Sequence, residues 1–258
     1  SDVSFDKNMG SLTTIDISDA TDDQDVNLND GYTGDTTVII GTPTTNNKDG
    51  DEKIVNTANV DLSVYAKVGD ISGGANGGTT ITGGYGRDTL YLYNIPSVLG
   101  NASDTTLNIA NGANDNIVRV DKIVILDGTA GNAVTIDTGD YTLANALGAS
   151  IPLTIDASAM GPTEVLTLTG ASSAARMNVT AGDASDILNG GTLADTISGG
   201  AGNDSIDATA GSGNVIDGGA GNDIITTGTG IDNISGGAGN DTINAEGNLK
   251  LDDTIDGG

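Results

Sequence analysis

Short aliphatic stretches separated by polar, glycine-rich turns run along the whole chain and predict many short β-strands. Apolar and polar residues alternate at 12–17 and around 36–40, which is the two-residue period of a strand with one buried face. Between residues 104 and 180 the same pattern recurs at 123–126, 134–136, 153–155, 165–168 and 177–179. Coils of about 10 to 18 residues with single buried aliphatics suit a parallel β-helix. A separate antiparallel sandwich is the alternative for this stretch.

A nine-residue repeat dominates the last third of the chain. Three copies, at 199–207, 218–226 and 236–244, fit G-G-x-G-x-D-x-U-x, in which U is a large aliphatic residue. With weaker copies between them, the sixth position forms the series Asp186, Asp195, Asp204, Asn214, Asp223, Asp232, Asp241 and Asp253, in steps of 9, 9, 10, 9, 9, 9 and 12. The aliphatic position follows two residues later each time, at Leu188, Ile197, Ile206, Ile216, Ile225, Ile234, Ile243 and Ile255.

The chemistry of the repeat predicts a flattened parallel roll. Glycines allow positive φ and a tight turn, and the next three residues form a strand whose aliphatic side chain points inward. Two units then complete one coil, so turns recur on the same edge every second unit. The first edge carries Asp186, Asp204, Asp223 and Asp241, and the second edge carries Asp195, Asn214, Asp232 and Asp253.

Residues 181–258 resemble the calcium-binding β-roll of the RTX proteins. The resemblance implies Ca²⁺ between successive turns, held by the sixth-position Asp and by backbone carbonyls. All three full copies lie on the first edge, which predicts one well-occupied calcium ladder there and a poorer one at Asp195, Asp232 and Asp253. The predicted metal-site residues are Asp186, Gly199, Gly200, Ala201, Gly202, Asn203, Asp204, Gly218, Gly219, Ala220, Gly221, Asn222, Asp223, Gly236, Gly237, Ala238, Gly239, Asn240 and Asp241, with Asp195 and Asp232 on the second edge.

An earlier copy of the repeat lies at 83–91, where Gly83, Gly84, Gly86 and Asp88 all fit the pattern. It predicts a further calcium site at Asp88, and a turn without metal is the alternative. The acidic patches at 19–35 and 46–52 are interpreted as solvated turns, with extra calcium sites as the second interpretation.

Composition and charge link folding to cations. The 258 residues carry a formal charge of −27, with 36 Asp and Glu against nine Lys and Arg. Such self-repulsion opposes a compact state unless cations offset it, so calcium binding and folding are expected to be one process. Extracellular calcium modules bind with a Kd of about 10⁻⁴–10⁻³ M, which suits millimolar calcium outside a cell.

The composition also excludes several functions. So few basic residues argue against nucleic-acid binding. No apolar run is long enough to span a membrane, and no secretory signal opens the sequence. The absence of His and Cys removes His-containing triads, thiol nucleophiles and disulfides, so no enzymatic activity is expected. Gly257 and Gly258 have the letters of another repeat's opening, which favours a piece of a longer protein.

Together these observations predict an all-β, right-handed parallel β-helix and β-roll solenoid. The predicted domains are an acidic strand-rich segment at 1–60, a β-helix-like region at 61–180 with an RTX-like insertion at 74–91, and the roll at 181–258. The composition resembles RTX-type bacterial surface-layer proteins, which implies Ca²⁺-dependent folding and lattice assembly of a protein secreted by a type I system. Its partners would be copies of itself, and also cell-surface glycan or lipopolysaccharide. Alternatives are a segment of a giant RTX adhesin, or the calcium module of a toxin or hydrolase.

Overall fold

The fold was taken from a computed structural model, which describes residues 3–5, 14–16, 26–28, 35–39, 53–56, 60–67, 80–84, 86–93, 106–108, 117–126, 133–138, 152–170, 173–245 and 251–258. These residues are all-β, with short strands in three sheets. The N-terminal sheet contains β1 (Val3–Phe5), β3 (Val26–Leu28), β5 (Lys53–Asn56), β7 (Thr80–Thr82) and β10 (Ile117–Val118). The C-terminal sheet contains β9 (Thr106–Asn108), β12 (Val134–Asp137), β14 (Leu166–Thr169), β16 (Ile187–Asn189), β18 (Ser205–Ala208), β20 (Ile224–Thr227) and β22 (Thr242–Asn244).

The third sheet runs along the whole described chain and is called the long sheet. It contains β2 (Thr14–Asp16), β4 (Thr36–Ile39), β6 (Leu62–Lys67), β8 (Thr89–Tyr93), β11 (Lys122–Leu126), β13 (Leu153–Asp156), β15 (Met177–Thr180), β17 (Thr196–Ser198), β19 (Val215–Ala220), β21 (Asn233–Ala238) and β23 (Thr254–Asp256). The strand pairs are parallel, as in β11, which pairs with β8 on one side and β13 on the other. The predicted parallel solenoid is confirmed, and the antiparallel alternative is wrong for the described strands.

The core is a set of stacked aliphatic rows. Inward positions of neighbouring strands are in register, so Leu188, Ile206 and Ile225 form one row and Ile197, Ile216 and Ile234 face them from the long sheet. All six side chains are at most 2% exposed. Each strand from β16 to β21 therefore contributes one of these buried aliphatics, as the repeat predicts, whereas Ile243 of β22 is partly buried and Ile255 of β23 is exposed.

The coils between residues 104 and 180 are longer than the sequence suggested. Paired positions of the long sheet are 32 residues apart at Lys122 and Thr154 and 24 apart at Leu153 and Met177. In the roll the same step is 18 or 19 residues, and 21 between Asp232 and Asp253. The expectation of coils of about 10 to 18 residues between 104 and 180 is wrong, because more chain separates successive strands of one sheet there than in the roll. Strands β9 and β10, for example, both lie between β8 and β11 of the long sheet.

Strands from the acidic N-terminal stretch belong to the same solenoid. Strand β4 pairs with β6, and β3 pairs with β5, which in turn pairs with β7. The proposed domain boundaries at 60 and 180 stay predictions, and the long sheet crosses both. The described residues contain no helix able to cross a membrane. The predicted acidic patches at 19–35 and 46–52 lie mostly or wholly outside the described residues.

Candidate metal site

The sixth-position aspartates of the first edge form a continuous hydrogen-bonded column. The backbone N–H of Asp186 donates to Oδ1 of Asp204 at 2.8 Å, and Asp204 donates in the same way to Asp223 at 2.8 Å. Asp223 continues the column to Asp241 at 2.9 Å. Each Oδ1 therefore ties one coil to the coil before it, and turns nine residues apart alternate between two edges as predicted.

The second edge repeats this column with one natural substitution. The N–H of Met177 donates to Oδ1 of Asp195 at 2.8 Å, and Asp195 donates to Oδ1 of Asn214 at 3.0 Å. Asn214 donates to Asp232 at 2.8 Å, and Asp232 donates to Asp253 at 3.0 Å. Since Asn214 keeps its place in the column, Oδ1 has a structural task that requires an acceptor oxygen but no negative charge.

The second carboxylate oxygen lacks a partner at three of the four aspartates of the first edge, Asp186 being the exception. Among buried side-chain N and O atoms of the described residues, those without a hydrogen-bond partner are Oδ2 of Asp204, Asp223 and Asp241, all on the first edge. On the second edge, Asp195 Oδ2 accepts the N–H of Gly191 at 2.7 Å, and Asn214 Nδ2 donates to the carbonyl of Ala208 at 3.2 Å. A buried carboxylate oxygen without a partner costs free energy, and a cation can remove that cost.

Glycines bring carbonyl oxygens to these free carboxylate oxygens. A Cβ atom placed on Gly218 would lie 2.5 Å from Asp223 Oδ2 and 2.5 Å from the carbonyl oxygen of Gly236 in the next coil. A Cβ on Gly199 would overlap with Asp204 Oδ2 and the Gly218 carbonyl in the same way. Gly199 and Gly218 are therefore required by space, because two oxygens from successive turns border the position of the missing side chain.

Burial raises the pKa of Asp186, Asp204 and Asp223 on the first edge, and like charge adds to the effect at Asp204 and Asp223. Asp204 is 2% exposed, and its burial, together with the neighbouring Asp186 and Asp223, raises its pKa to about 7. Burial raises the pKa of Asp186 to about 6, and burial with the neighbouring Asp241 and Asp217 raises that of Asp223. A column of stacked carboxylates without counter-ions thus favours protonation, which is the electrostatic environment that a bound dication would relieve.

The remaining first-edge residues hold the turns together. Ala201 pairs with Ala220, which pairs with Ala238, so the glycine-rich segments themselves form a backbone ladder. The asparagines point outward: Asn222 donates its N–H to Asn203 Oδ1 at 2.7 Å, and Asn240 donates to Asn222 Oδ1 at 2.8 Å. Their side-chain oxygens are thus used between coils. Ser185, which the sequence did not single out, begins this outer column by accepting the N–H of Asn203.

Asp88 lies in a turn of the same kind, remote from the roll. Its Oδ1 accepts Asn56 Nδ2 and the N–H of Leu62, both at 3.0 Å, and its Oδ2 accepts the N–H of Gly84 at 2.7 Å. Burial raises its pKa to about 6. Asn56 was not recognisable as a partner from the sequence, because it lies 32 residues before Asp88 and on a different coil.

The donor set fits calcium better than a metal that needs several acidic or imidazole ligands. The described residues contain no cluster of three or more His, Cys, Asp or Glu that could hold a metal ion. Calcium takes about six to eight oxygens and accepts backbone carbonyls among them. One carboxylate oxygen per turn plus glycine carbonyls of stacked turns is therefore a suitable arrangement for calcium. When bound, the ion supplies charge neutralisation and oxygen cross-links between coils.

Comparison with known proteins gives the family of this region. Residues 180–215 and 217–248 match the model of the RTX calcium-binding nonapeptide repeat. No curated protein and no solved structure matches the chain. The roll therefore consists of RTX calcium-binding repeats, and the cofactor that these repeats bind is Ca²⁺.

Proposed function

We propose, from the RTX calcium-binding repeats of residues 180–248, that this chain is a structural, calcium-binding segment of a bacterial surface-layer protein. The folding and the lattice assembly of that protein depend on calcium. The repeats form a structural, calcium-binding module of a secreted protein. Placement on the cell surface, export by a type I system and assembly with copies of itself belong to the proposal.

The observation that carries the proposal is the column of free Oδ2 atoms at Asp204, Asp223 and Asp241 beside glycine carbonyls. Without cations, a chain of charge −27 stacks these carboxylates in a buried row against strong repulsion. With calcium, the same row becomes a set of cross-links between coils. The roll is thus expected to stay unfolded where calcium is scarce and to fold outside the cell.

The architecture supports a structural role. The long sheet connects the repeat copy at 83–91 with the roll in one solenoid, whereas the calcium module of a secreted toxin or hydrolase is expected as one compact block. Asp88, Asp186 and Asp195 are buried and bonded to backbone N–H groups, which leaves them poorly placed for acid–base chemistry. No catalytic role is therefore assigned to them.

The test is assembly with and without calcium. The purified chain, taken from EGTA into millimolar CaCl₂, is expected to form ordered two-dimensional arrays visible by negative-stain electron microscopy. The triple variant Asp204→Asn, Asp223→Asn and Asp241→Asn serves as the control and is expected to form none. Calcium-bound monomers that attach to cells or glycans without forming arrays would replace the surface-layer proposal with the adhesin alternative.

A further inference from the structure

Six nonapeptide-type turns of the described residues fall into two classes, according to the hydrogen-bond partner of Oδ2 of the sixth-position aspartate. In three turns the second residue of the turn donates its own N–H to it: Gly84 to Asp88 at 2.7 Å, Gly182 to Asp186 at 3.2 Å and Gly191 to Asp195 at 2.7 Å. In the turns of Asp204, Asp223 and Asp241, Oδ2 is buried and without a partner. Oδ1 accepts a backbone N–H from a neighbouring coil in both classes.

The backbone of the second glycine separates the same two classes. Gly200, Gly219 and Gly237, which precede the free carboxylates, have φ of 94°, 103° and 93°. Gly182 and Gly191 do not have positive φ. The left-handed conformation, open to glycine at little cost, therefore coincides with loss of the N–H bond to Oδ2.

Stacking explains why the left-handed form occurs where it does. A Cβ on Gly219 would overlap with the carbonyl of Gly200, and one on Gly237 with the carbonyl of Gly219, so each second glycine lies directly over the previous one. In the turn at 83–88 the described stacking contacts differ, since Gly83 and Gly86 lie against the carbonyls of Arg119 and Val60. A sequence match at 83–88 thus does not produce the same contacts between coils.

We infer that the second glycine decides whether a turn caps its own carboxylate or requires a cation, and that the turns of Asp88, Asp186 and Asp195 are self-capped and bind no calcium. The N–H groups of Gly84, Gly182 and Gly191 take the place of the ion. This inference rests on the proposed calcium binding, and it restricts the calcium-binding carboxylates among these six to Asp204, Asp223 and Asp241. It removes three of the aspartates that the repeat pattern predicts as ligands.

Calcium stoichiometry of single variants tests the inference. Asn is the informative replacement, because Asn214 shows that an amide keeps the Oδ1 bond between coils. Asp204→Asn, Asp223→Asn and Asp241→Asn are each expected to lose at least one bound ion, measured by native mass spectrometry and calorimetric titration with CaCl₂. The same number of bound ions as in the unmodified chain is expected for Asp88→Asn, Asp186→Asn and Asp195→Asn. Their thermal unfolding midpoints should fall, because the amide NH₂ that replaces Oδ2 is a hydrogen-bond donor and faces the N–H of a glycine, which is also a donor.

The outcomes separate this inference from the proposed function. Loss of an ion in a folded Asp88, Asp186 or Asp195 variant would overturn the inference and leave calcium binding intact. An unchanged ion count in the folded Asp204, Asp223 and Asp241 variants would also overturn the inference, whereas absence of calcium binding by the unmodified chain would overturn the proposed function itself. Circular dichroism in saturating calcium establishes which variants are folded, and Asp195→Asn, on the edge that already carries Asn214, is the variant most suited to remain so.

Discussion

The sixth-position aspartate performs two separable tasks with its two oxygens. Oδ1 accepts a backbone N–H from a neighbouring coil on both edges, and Asn214 can do this without charge. Oδ2 is either capped by the turn itself, as in Asp195, or free, as in Asp223. Substitution by Asn and by Ala should therefore have different effects, since only Ala removes the oxygen that joins the coils.

Asp88 predicts a specific pH dependence of stability in the absence of calcium. Its pKa is raised to about 6 by burial, above the ~4 of an unfolded aspartate, so the folded state holds a proton that the unfolded state releases between these values. The associated stability is fully present below about pH 4 and is lost as the pH rises through about 6. Denaturant unfolding in EGTA should therefore give lower stability at pH 7.5 than at pH 5.

The variant Asp88→Asn isolates this contribution, because an amide does not titrate. Its unfolding free energy should fall less steeply with pH, by up to about 1 kcal/mol per pH unit. Asp121, which faces Asp88 and has a pKa raised by burial, retains its part of the slope. An unchanged slope in the variant would show that Asp88 does not hold a proton in the folded state.

At the scale of the element, each turn is shaped by the turn against which it stacks. Gly221 has φ 138°, and a Cβ there would overlap with the carbonyl of Gly202. Gly239 repeats this contact over Gly221. The strands β18 and β20, which follow two of these turns, are four residues long and bury two side chains each, so the stacked turns contribute much of the contact between coils.

Alanine at two glycines separates backbone strain from close contact. Gly213 also has positive φ, 77°, but a Cβ there would meet only ordinary contacts at 3.8 and 3.9 Å. Gly213→Ala should cost about 1–2 kcal/mol of unfolding free energy from the backbone alone. Gly221→Ala should cost more than about 4 kcal/mol, since a backbone carbonyl would have to move. Thermal and denaturant unfolding in saturating calcium measure both, and similar losses would show that stacking does not restrict the turn.

At the scale of the molecule, one solenoid contains the coils before residue 181 and the roll, and the carboxylate oxygens without a partner lie in the roll. The long sheet is continuous, yet each coil contacts only its neighbours, so the two parts can differ in stability. The free carboxylate oxygens described above lie between residues 204 and 241. Removal of calcium by a chelator should thus unfold the roll before the coils that precede it.

Tyrosine provides a reporter for one part alone, because all six tyrosines lie before residue 181 and the chain has no Trp. Tyr65 and Tyr91 stack with ring centroids 4.4 Å apart, which should give a near-ultraviolet circular dichroism signal. EGTA is expected to remove the far-ultraviolet β signal of 181–258 and to expand the chain in X-ray scattering, while the tyrosine signal remains. Loss of both signals at one calcium concentration would mean that the solenoid unfolds as a single unit.

The sequence by itself determined the repeat, its alternation between two edges and the inward aliphatics, because these follow from local periods of nine and two residues. It also places Asp204, Asp223 and Asp241 on one edge. The aliphatic stretches 123–126 and 153–155 predict the strands that the structure has at 122–126 and 153–156.

Only the tertiary structure decided the length of the early coils and the partner of each carboxylate oxygen. Asp88 fits the repeat as well as Asp223 does, but it is bonded to Asn56 and Leu62, which lie 32 and 26 residues away. Parallel coils bring together residues that are distant in sequence, and the backbone of a glycine turn depends on the turn stacked against it. A local motif can therefore predict where a calcium-binding turn forms, while its neighbours decide whether an oxygen remains free for the ion.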